Sequence, residues 1–457
     1  MKKLLLLATT TLLSASAYAG DVTIDSEDLK LQLLGRFNFQ GGGAKQSNAE
    51  GVDKKISTNR KNFAFNSNAF TAAKITAEKD DLKYGAQLSL FTNTQGTGSP
   101  AYDRSHVFIE SNFGKIELGS SFSSTAKMSI TALDIARAGG GDGTDYAKTY
   151  IEGKTGDAQF PGEISTPTYP GFFLDHANLD KHSGESSRKV TYYTPEFNGF
   201  QMGISFIPDS GNLGSSSLKD ASDDYNQATQ YVVVSPTTTA ANGVTTYTTT
   251  TYSEKKPVKD AFTVGLSFKH DISDYTSFKL SATGEYGKPA NHGTIDIDTT
   301  TTTPAAVGAP GGAPATTNTV STPQTKYKLS KLSTYNIGGI VTLGNYAFGA
   351  SYGDLGKSMT SSQVLGTQRS TKYYTIGTAY TQGPVGVSAV YSKAKQYGNT
   401  MDIYTFGTDY KLAPGLLPYA EFAYFNGKAG LAAAYNSKTA KQKFKGYVFI
   451  LGAKLAF

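Results

Sequence analysis

The sequence predicts an all-β protein, a closed antiparallel barrel of sixteen strands that crosses a membrane. Three observations carry that expectation. The first is the terminal segment Gly446 to Phe457, in which Tyr447, Phe449, Leu451, Ala453, Leu455 and Phe457 alternate with Gly446, Val448, Ile450, Gly452, Lys454 and Ala456. Alternate strand residues point to opposite faces, so one face is wholly apolar and the other tolerates a lysine. About ten such residues, tilted by ~45°, span roughly 23 Å, close to the apolar band of a membrane barrel. The second is composition. Only 38% of residues are hydrophobic, yet there are 49 glycines, 29 tyrosines and 25 phenylalanines. A closed dry core in a chain this long needs more apolar content, whereas a barrel with a wet interior needs it on one strand face and in aromatic girdles. The third is the rhythm of connections. Seven short links alternate with eight longer ones, as in a barrel whose turns cluster at one end and whose loops cluster at the other.

The chain opens with a secretory signal, expected to be residues 1–19. Lys2 and Lys3 precede the apolar run Leu4 to Leu13, and Ala17-Tyr18-Ala19 is an A-x-A cleavage site. No later stretch approaches eighteen consecutive apolar residues, so no helical anchor is expected. The absence of cysteine excludes disulfides and thiolate metal sites. A net charge of +6, two units of it from the signal lysines, is too small and dispersed for nucleic acid.

From Leu29 to Gln40, Leu29, Leu31, Leu33, Phe37 and Phe39 face one side, and Lys30, Gln32, Arg36, Asn38 and Gln40 the other. Gly41 to Gly43 reads as the start of a polar loop. A strand from Ser67 to Lys79 turns at Asp80-Asp81 into the strand carrying Leu82, Tyr84, Ala86, Leu88 and Leu90, a hairpin. The pattern continues through Val107 to Leu118, Val190 to Phe206, Phe262 to Ala282, Tyr335 to Tyr352, Tyr374 to Tyr391 and Tyr404 to Phe425. Over Leu417 to Phe425 both registers carry rings, so the faces stay open there. The expected mature barrel is 20–457, with long Thr-rich external loops at 208–259 and 287–331. The Thr/Ala/Pro/Gly-rich tracts 235–252 and 299–325 have little to bury and are expected to be mobile or extended.

The connection 121–187 is acidic, with Asp134, Asp142 and Asp145 among nine carboxylates against five cations. The inward strand positions are basic, including Lys30, Arg36, Lys74 and Lys115. Were this connection to fold inward, carboxylates would face cations across a narrow aqueous gap, a field that orients polar solutes. Enzyme chemistry finds no support. The five histidines show no metal-helix spacing, and His182-Ser183 lacks a G-x-S-x-G elbow. No cofactor is called for, and no Ca²⁺-loop spacing accompanies the acidic residues.

Leu34-Gly35-Arg36, Asn112 to Gly119, Tyr193-Thr194-Pro195 with Asn198-Gly199-Phe200, Gly383-Pro384-Val385 and the terminal Phe457 occur in the order of a known pattern. Together they make the chain resemble the general, non-specific porins of Gram-negative outer membranes. The resemblance covers essentially all of the mature sequence. It implies a third loop folded inward as a constriction, three barrels side by side, and a final aromatic, Phe457 with Tyr447 on the same face, read by the barrel-assembly machinery. Asp134 and Gly139 to Asp142 resemble the family's acidic constriction segment. Arg137-Ala138 stands where some members have Pro-Glu, and Ser120 where an arginine is common.

The expectation is therefore an outer-membrane channel, without enzymatic activity, for passive diffusion of ions and small hydrophilic solutes. Asp134, Asp142 and Asp145 would line the constriction, and Lys30, Arg36, Lys74 and Lys115 the lumen. A homotrimer in contact with outer-membrane lipid and lipopolysaccharide is implied. The rival readings are a solute-specific channel and an adhesive or structural surface protein.

Overall fold

A computed structural model describes residues 22–25, 29–46, 63–93, 101–138, 187–210, 229–234, 238–239, 245–254, 258–289, 293–303, 316–321, 325–359, 370–396, 399–429 and 442–457. The expected signal at 1–19 lies outside them. Sixteen strands form the wall: β1 Lys30–Gln46, β2 Phe63–Lys79, β3 Leu82–Asn93, β4 Ala101–Ser111, β5 Gly114–Ser120, β6 Arg188–Tyr193, β7 Phe200–Asp209 and β8 Val258–Ser273, then β9 Thr276–Pro289, β10 Leu332–Leu343, β11 Tyr346–Gly356, β12 Thr371–Gln382, β13 Val385–Gln396, β14 Asn399–Tyr410, β15 Leu416–Ala429 and β16 Gln442–Ala456. Each pairs antiparallel with its sequence neighbour, and β16 returns to β1 with Phe37 opposite Leu455. Closure leaves no open edge for lipid to meet, so every wall strand finds both its ladders within the protein.

The alternation expected along the strands is realised. Ile337, Ile376, Phe406 and Leu451 are more than half exposed on the outer face, while Asn336, Thr375, Thr405 and Ile450 beside them are buried. Across Leu417 to Phe425 the ambiguity resolves in one direction. Leu417, Tyr419, Glu421, Ala423 and Phe425 turn inward and are buried, and Phe422 is exposed outward. That register is imposed by β16, since Phe422 is opposite Phe449 and Ala423 opposite Val448.

Three elements differ from expectation. Gly41 to Gly43 continue β1 rather than opening a loop, because the rings of Phe63 and Phe65 on β2 lie over Gly41 and supply the apolar cover it lacks. β13 and β14 run on to Gln396 and Asn399, so the link at that end is two residues long. Within the Thr-rich spans, strands Thr229–Val234, Thr238–Thr239, Thr245–Glu254, Gly293–Thr303, Thr316–Ser321 and Thr325–Tyr327 form a second sheet. Threonine is β-branched and favours extended backbone once a partner strand is beside it. The pairings of this sheet follow the numbering of the adjoining wall pairs. Stepping five residues outward from the β8–β9 pair Val258↔Pro289 gives the observed pair Ser253↔Thr294. Stepping eleven outward from Gly287↔Leu332 gives Asp298↔Ser321, with the pairs between them, such as Gly293↔Tyr327, shifted by one residue.

At the opposite end β16 stops at the seam. Gly35 and Phe457 exchange both backbone hydrogen bonds (2.8 and 2.9 Å). Beyond that point the short strand Val22–Asp25 takes over the same edge of β1, with Val22 opposite Leu33 and Asp25 opposite Lys30. The two chain ends together thus complete one ladder.

Candidate functional site: the inner wall and the segment against it

The inward positions divide the wall into two arcs of different chemistry. On β1 to β6 they carry long cations and rings. Lys74 and Lys115 flank the buried Phe108, with their ammonium groups 5.4 and 5.0 Å from its centroid. The Arg104 guanidinium stacks 3.5 Å over the Phe122 ring and lies 5.9 Å from the centroid of Phe70, which is opposite Arg36 in the ladder. Such cation–ring contacts hold the heads in place while leaving their charge available to solutes. Glu117 is the buried acid of this arc, held by Lys115 (2.8 Å) and Lys127 (2.5 Å). Lys189 is also buried and donates from Nζ to the Ser121 carbonyl.

From β7 to β14 the inward positions are small, glycine, serine and threonine for the most part, and residues 121–138 lie against them. The turn begins at Ser123, whose Oγ accepts from the Ala126 N–H (3.3 Å) and caps the short helix α1 Ser124–Met128. The Ser124 N–H donates to Ser205 Oγ on β7 (2.8 Å), and Ser124 Oγ lies 2.7 Å from Thr263 Oγ1 on β8. The Ile130 N–H donates to Ser281 Oγ on β9 (3.1 Å), Ala132 N–H to Thr375 Oγ1 on β12 (2.9 Å), and Arg137 N–H to Ser388 Oγ on β13 (2.7 Å). All these wall positions alternate with the exposed apolar outer face, so the segment runs inside. Backbone donors that no helix satisfies are met by wall hydroxyls.

Of the residues expected to line the constriction, Asp134 is exposed in a 3-10 turn (Ala132–Ile135). Its carboxylate accepts from the Thr131 N–H (2.6 Å) in a capping box, so it fixes the turn as well as presenting charge. Asp142 and Asp145 lie outside the described residues. Of the expected lumen cations, Arg36, Lys74 and Lys115 share the β1–β6 arc, but Lys30 is exposed at the start of β1, at the short-turn rim. Arg137 reaches Thr381 Oγ1 with its guanidinium. Beside it Ala138, at φ 64°, donates its N–H to the Asp409 carboxylate and packs into a buried apolar cluster with Met401, Ile403, Phe425, Val448 and Ile450. The wall is therefore not polar throughout.

Sequence reasoning missed Arg104 and Glu117. Glu117 was legible, since it alternates with Lys115 on the same face. Arg104 precedes the apolar run at Val107 that marked the strand. Phe457 half-covers Gly35 and stacks on Phe37 (6.1 Å), and Tyr447 is exposed on the outer face against Phe422 (6.2 Å).

Comparison with known proteins follows the same line. The chain is 33% identical to an uncharacterized protein of Rickettsia prowazekii and 36% identical to one of Rickettsia bellii, each over the whole of both chains. Among solved structures it is similar to a porin variant of Rhodopseudomonas blastica (12% identity, TM-score 0.48, 93% of this chain and all of that one). A loop-deletion variant of an outer-membrane protein of Vibrio cholerae is also similar (12% identity, TM-score 0.43, 94% of this chain and all of that one). The family model described as Gram-negative porin matches residues 4–430. The chain thus belongs to the Gram-negative porin family, as a multi-pass barrel of the outer membrane.

Proposed function

We propose that the barrel is a water-filled passage for passive diffusion of ions and small hydrophilic solutes, with loop 121–187 setting its size and charge preference. The observation that carries this reading is the division of the inner wall: partly exposed Arg36, Lys74, Arg104 and Lys115 on one arc, and the hydroxyl-bound segment 121–138 on the other. A solute passing between them meets fixed cations on one side and a pinned chain on the other. Asp134, with Asp142 and Asp145 further along the loop, supplies the opposing negative charge. The test is a planar bilayer: deleting residues 134–145 raises single-channel conductance, and unchanged conductance would refute the constriction role.

The remaining roles belong to the same proposal. Residues 1–19 are the export signal. Three copies associate, with the outer-face groove lined by Phe37, Phe39, Ala69, Leu416, Ala453 and Leu455 as a seat for the neighbour, and lipid or lipopolysaccharide covers the remaining outer face. Phe457 and Tyr447 are read by the assembly machinery. A second, surface-binding role for the Thr-rich spans is favoured by their pairing into a sheet of their own.

A further inference from the structure

A glycine inside a strand weakens it and calls for a local reason. Under segment 121–138 the wall places one on seven of eight consecutive strands, and none of these seven has a left-handed φ that would explain it. At most of them the reason is the segment itself, although the wall's own Tyr193, Val390 and Asp409 also crowd Gly203, Gly377 and Gly386. Met128 sits over Gly203 and Gly265, which are directly opposed on β7 and β8. The Ile130 carbonyl lies against Gly338 on β10, and Ala132 against Gly349 and Gly377, directly opposed on β11 and β12. Arg137 crosses Gly386 on β13 and Gly407 on β14. On β9, the eighth strand, the crossing point is Ser281, which accepts the Ile130 N–H.

At four of the seven the contact is with the segment's backbone, which no rotamer change relieves, and at Gly203, Gly377 and Gly386 it is with the side chains of Met128, Ala132 and Arg137. A Cβ at Gly265 would lie 3.0 Å from the Ser124 oxygen, one at Gly349 3.0 Å from Ala132 Cα, and one at Gly407 2.5 Å from the Arg137 oxygen. At Gly338 it would overlap the Ile130 oxygen outright. Hydroxyl acceptors between the glycines then draw the segment into the room they leave.

We propose that this glycine track makes the wall, rather than the loop's own side chains, the determinant of how far segment 121–138 stands from it. Gly338 and Gly407 are the chief positioning residues for the width of the passage. The inference rests on the reading of loop 121–187 as the constriction.

The full chain in planar bilayers tests it. In Gly338→Ala the loop backbone must move inward by ~1.5 Å and in Gly407→Ala by ~0.7 Å, and for an opening on the order of 10 Å the loss of area lowers conductance by about a quarter and about a seventh respectively. Gly284→Ala, on the outward face of β9, serves as the control and leaves conductance unchanged. A second variant reads the approach of the segment directly, at a milder contact. A Cβ at Gly349 falls 3.5 Å from Ala132 Cβ, within disulfide range, and the chain has no cysteine of its own. Ala132→Cys with Gly349→Cys should cross-link in assembled barrels. If assembled Gly338→Ala and Gly407→Ala channels conduct as wild type while deletion of 134–145 raises conductance, the wall has no such role and the constriction reading survives. If the deletion also changes nothing, the constriction reading fails and takes the track with it. Should Gly338→Ala not assemble, the cysteine pair decides, and an uncross-linked barrel overturns the proposal.

Discussion

Glu117→Gln tests the charge logic of the passage most directly. Glu117 is buried on β5, and its two oxygens hold Lys115 at 2.8 Å and Lys127 at 2.5 Å. Glutamine keeps the shape but leaves two ammonium groups side by side with no anion. Removing one partner of a buried pair costs about 3–5 kcal/mol, an upper bound here because both lysines keep part of their surface. The same change adds one positive charge to the inner wall. For a solute on the order of 10 Å away at 0.1 M salt, water-like screening gives ~0.15 kcal/mol per unit charge, and an effective dielectric near 20 gives ~0.6 kcal/mol. Cation and anion are affected oppositely, so their permeability ratio shifts toward anions by a factor between about 1.7 and about 8. Reversal potentials in a salt gradient read that ratio, and raising the salt should shrink the shift. Freed from its anchor, Lys127 also releases α1, which adds noise to the open-channel current. A reversal potential and current noise identical to wild type would refute both the placement of this cluster at the passage and its role in holding α1.

Two further outcomes follow from the fold. Ile376→Lys places a charge on the lipid face of β12 and should destabilise the barrel by ~2–4 kcal/mol, whereas replacing the inward Lys454 by glutamine should cost little; denaturant titration of the folded barrel in detergent or lipid measures both, and equal effects would overturn the face assignment. Phe457→Ala removes the ring over Gly35 but keeps the two backbone bonds of the seam. It should reduce the amount of assembled barrel in membranes more than it alters the conductance of pores that form, and normal assembly would contradict the role given to that residue.

How much was legible in the sequence varied with the range of the interaction concerned. Strand faces were read from alternation because it reports a local fact, which side of a pleat each residue takes. Where both faces carry rings, as in Leu417 to Phe425, alternation is mute, and only the partner β16 settles the register. Gly41 to Gly43 look like a loop to any local rule, since the rings that cover Gly41 come from β2. Arg36, Lys74 and Lys115 could be placed on the inward face, but not at a height, so Lys30 at the rim looked equivalent to them. Asp134 was visible as a carboxylate, yet its bond to the Thr131 N–H depends on a 3-10 turn that sequence does not announce.

The sequence by itself determined the all-β class, the number of wall strands and the side on which long connections gather. Each follows from side-chain period and from turn residues that act within a few positions. Tertiary structure alone decided which half of the wall would be bare. Gly203, Gly265, Gly338, Gly349, Gly377, Gly386 and Gly407 are scattered over two hundred residues and mean nothing one at a time. They become a track only when closure of the barrel sets their strands side by side and segment 121–138 is laid across them, because a missing Cβ has a physical effect only where another backbone comes close enough to use the space.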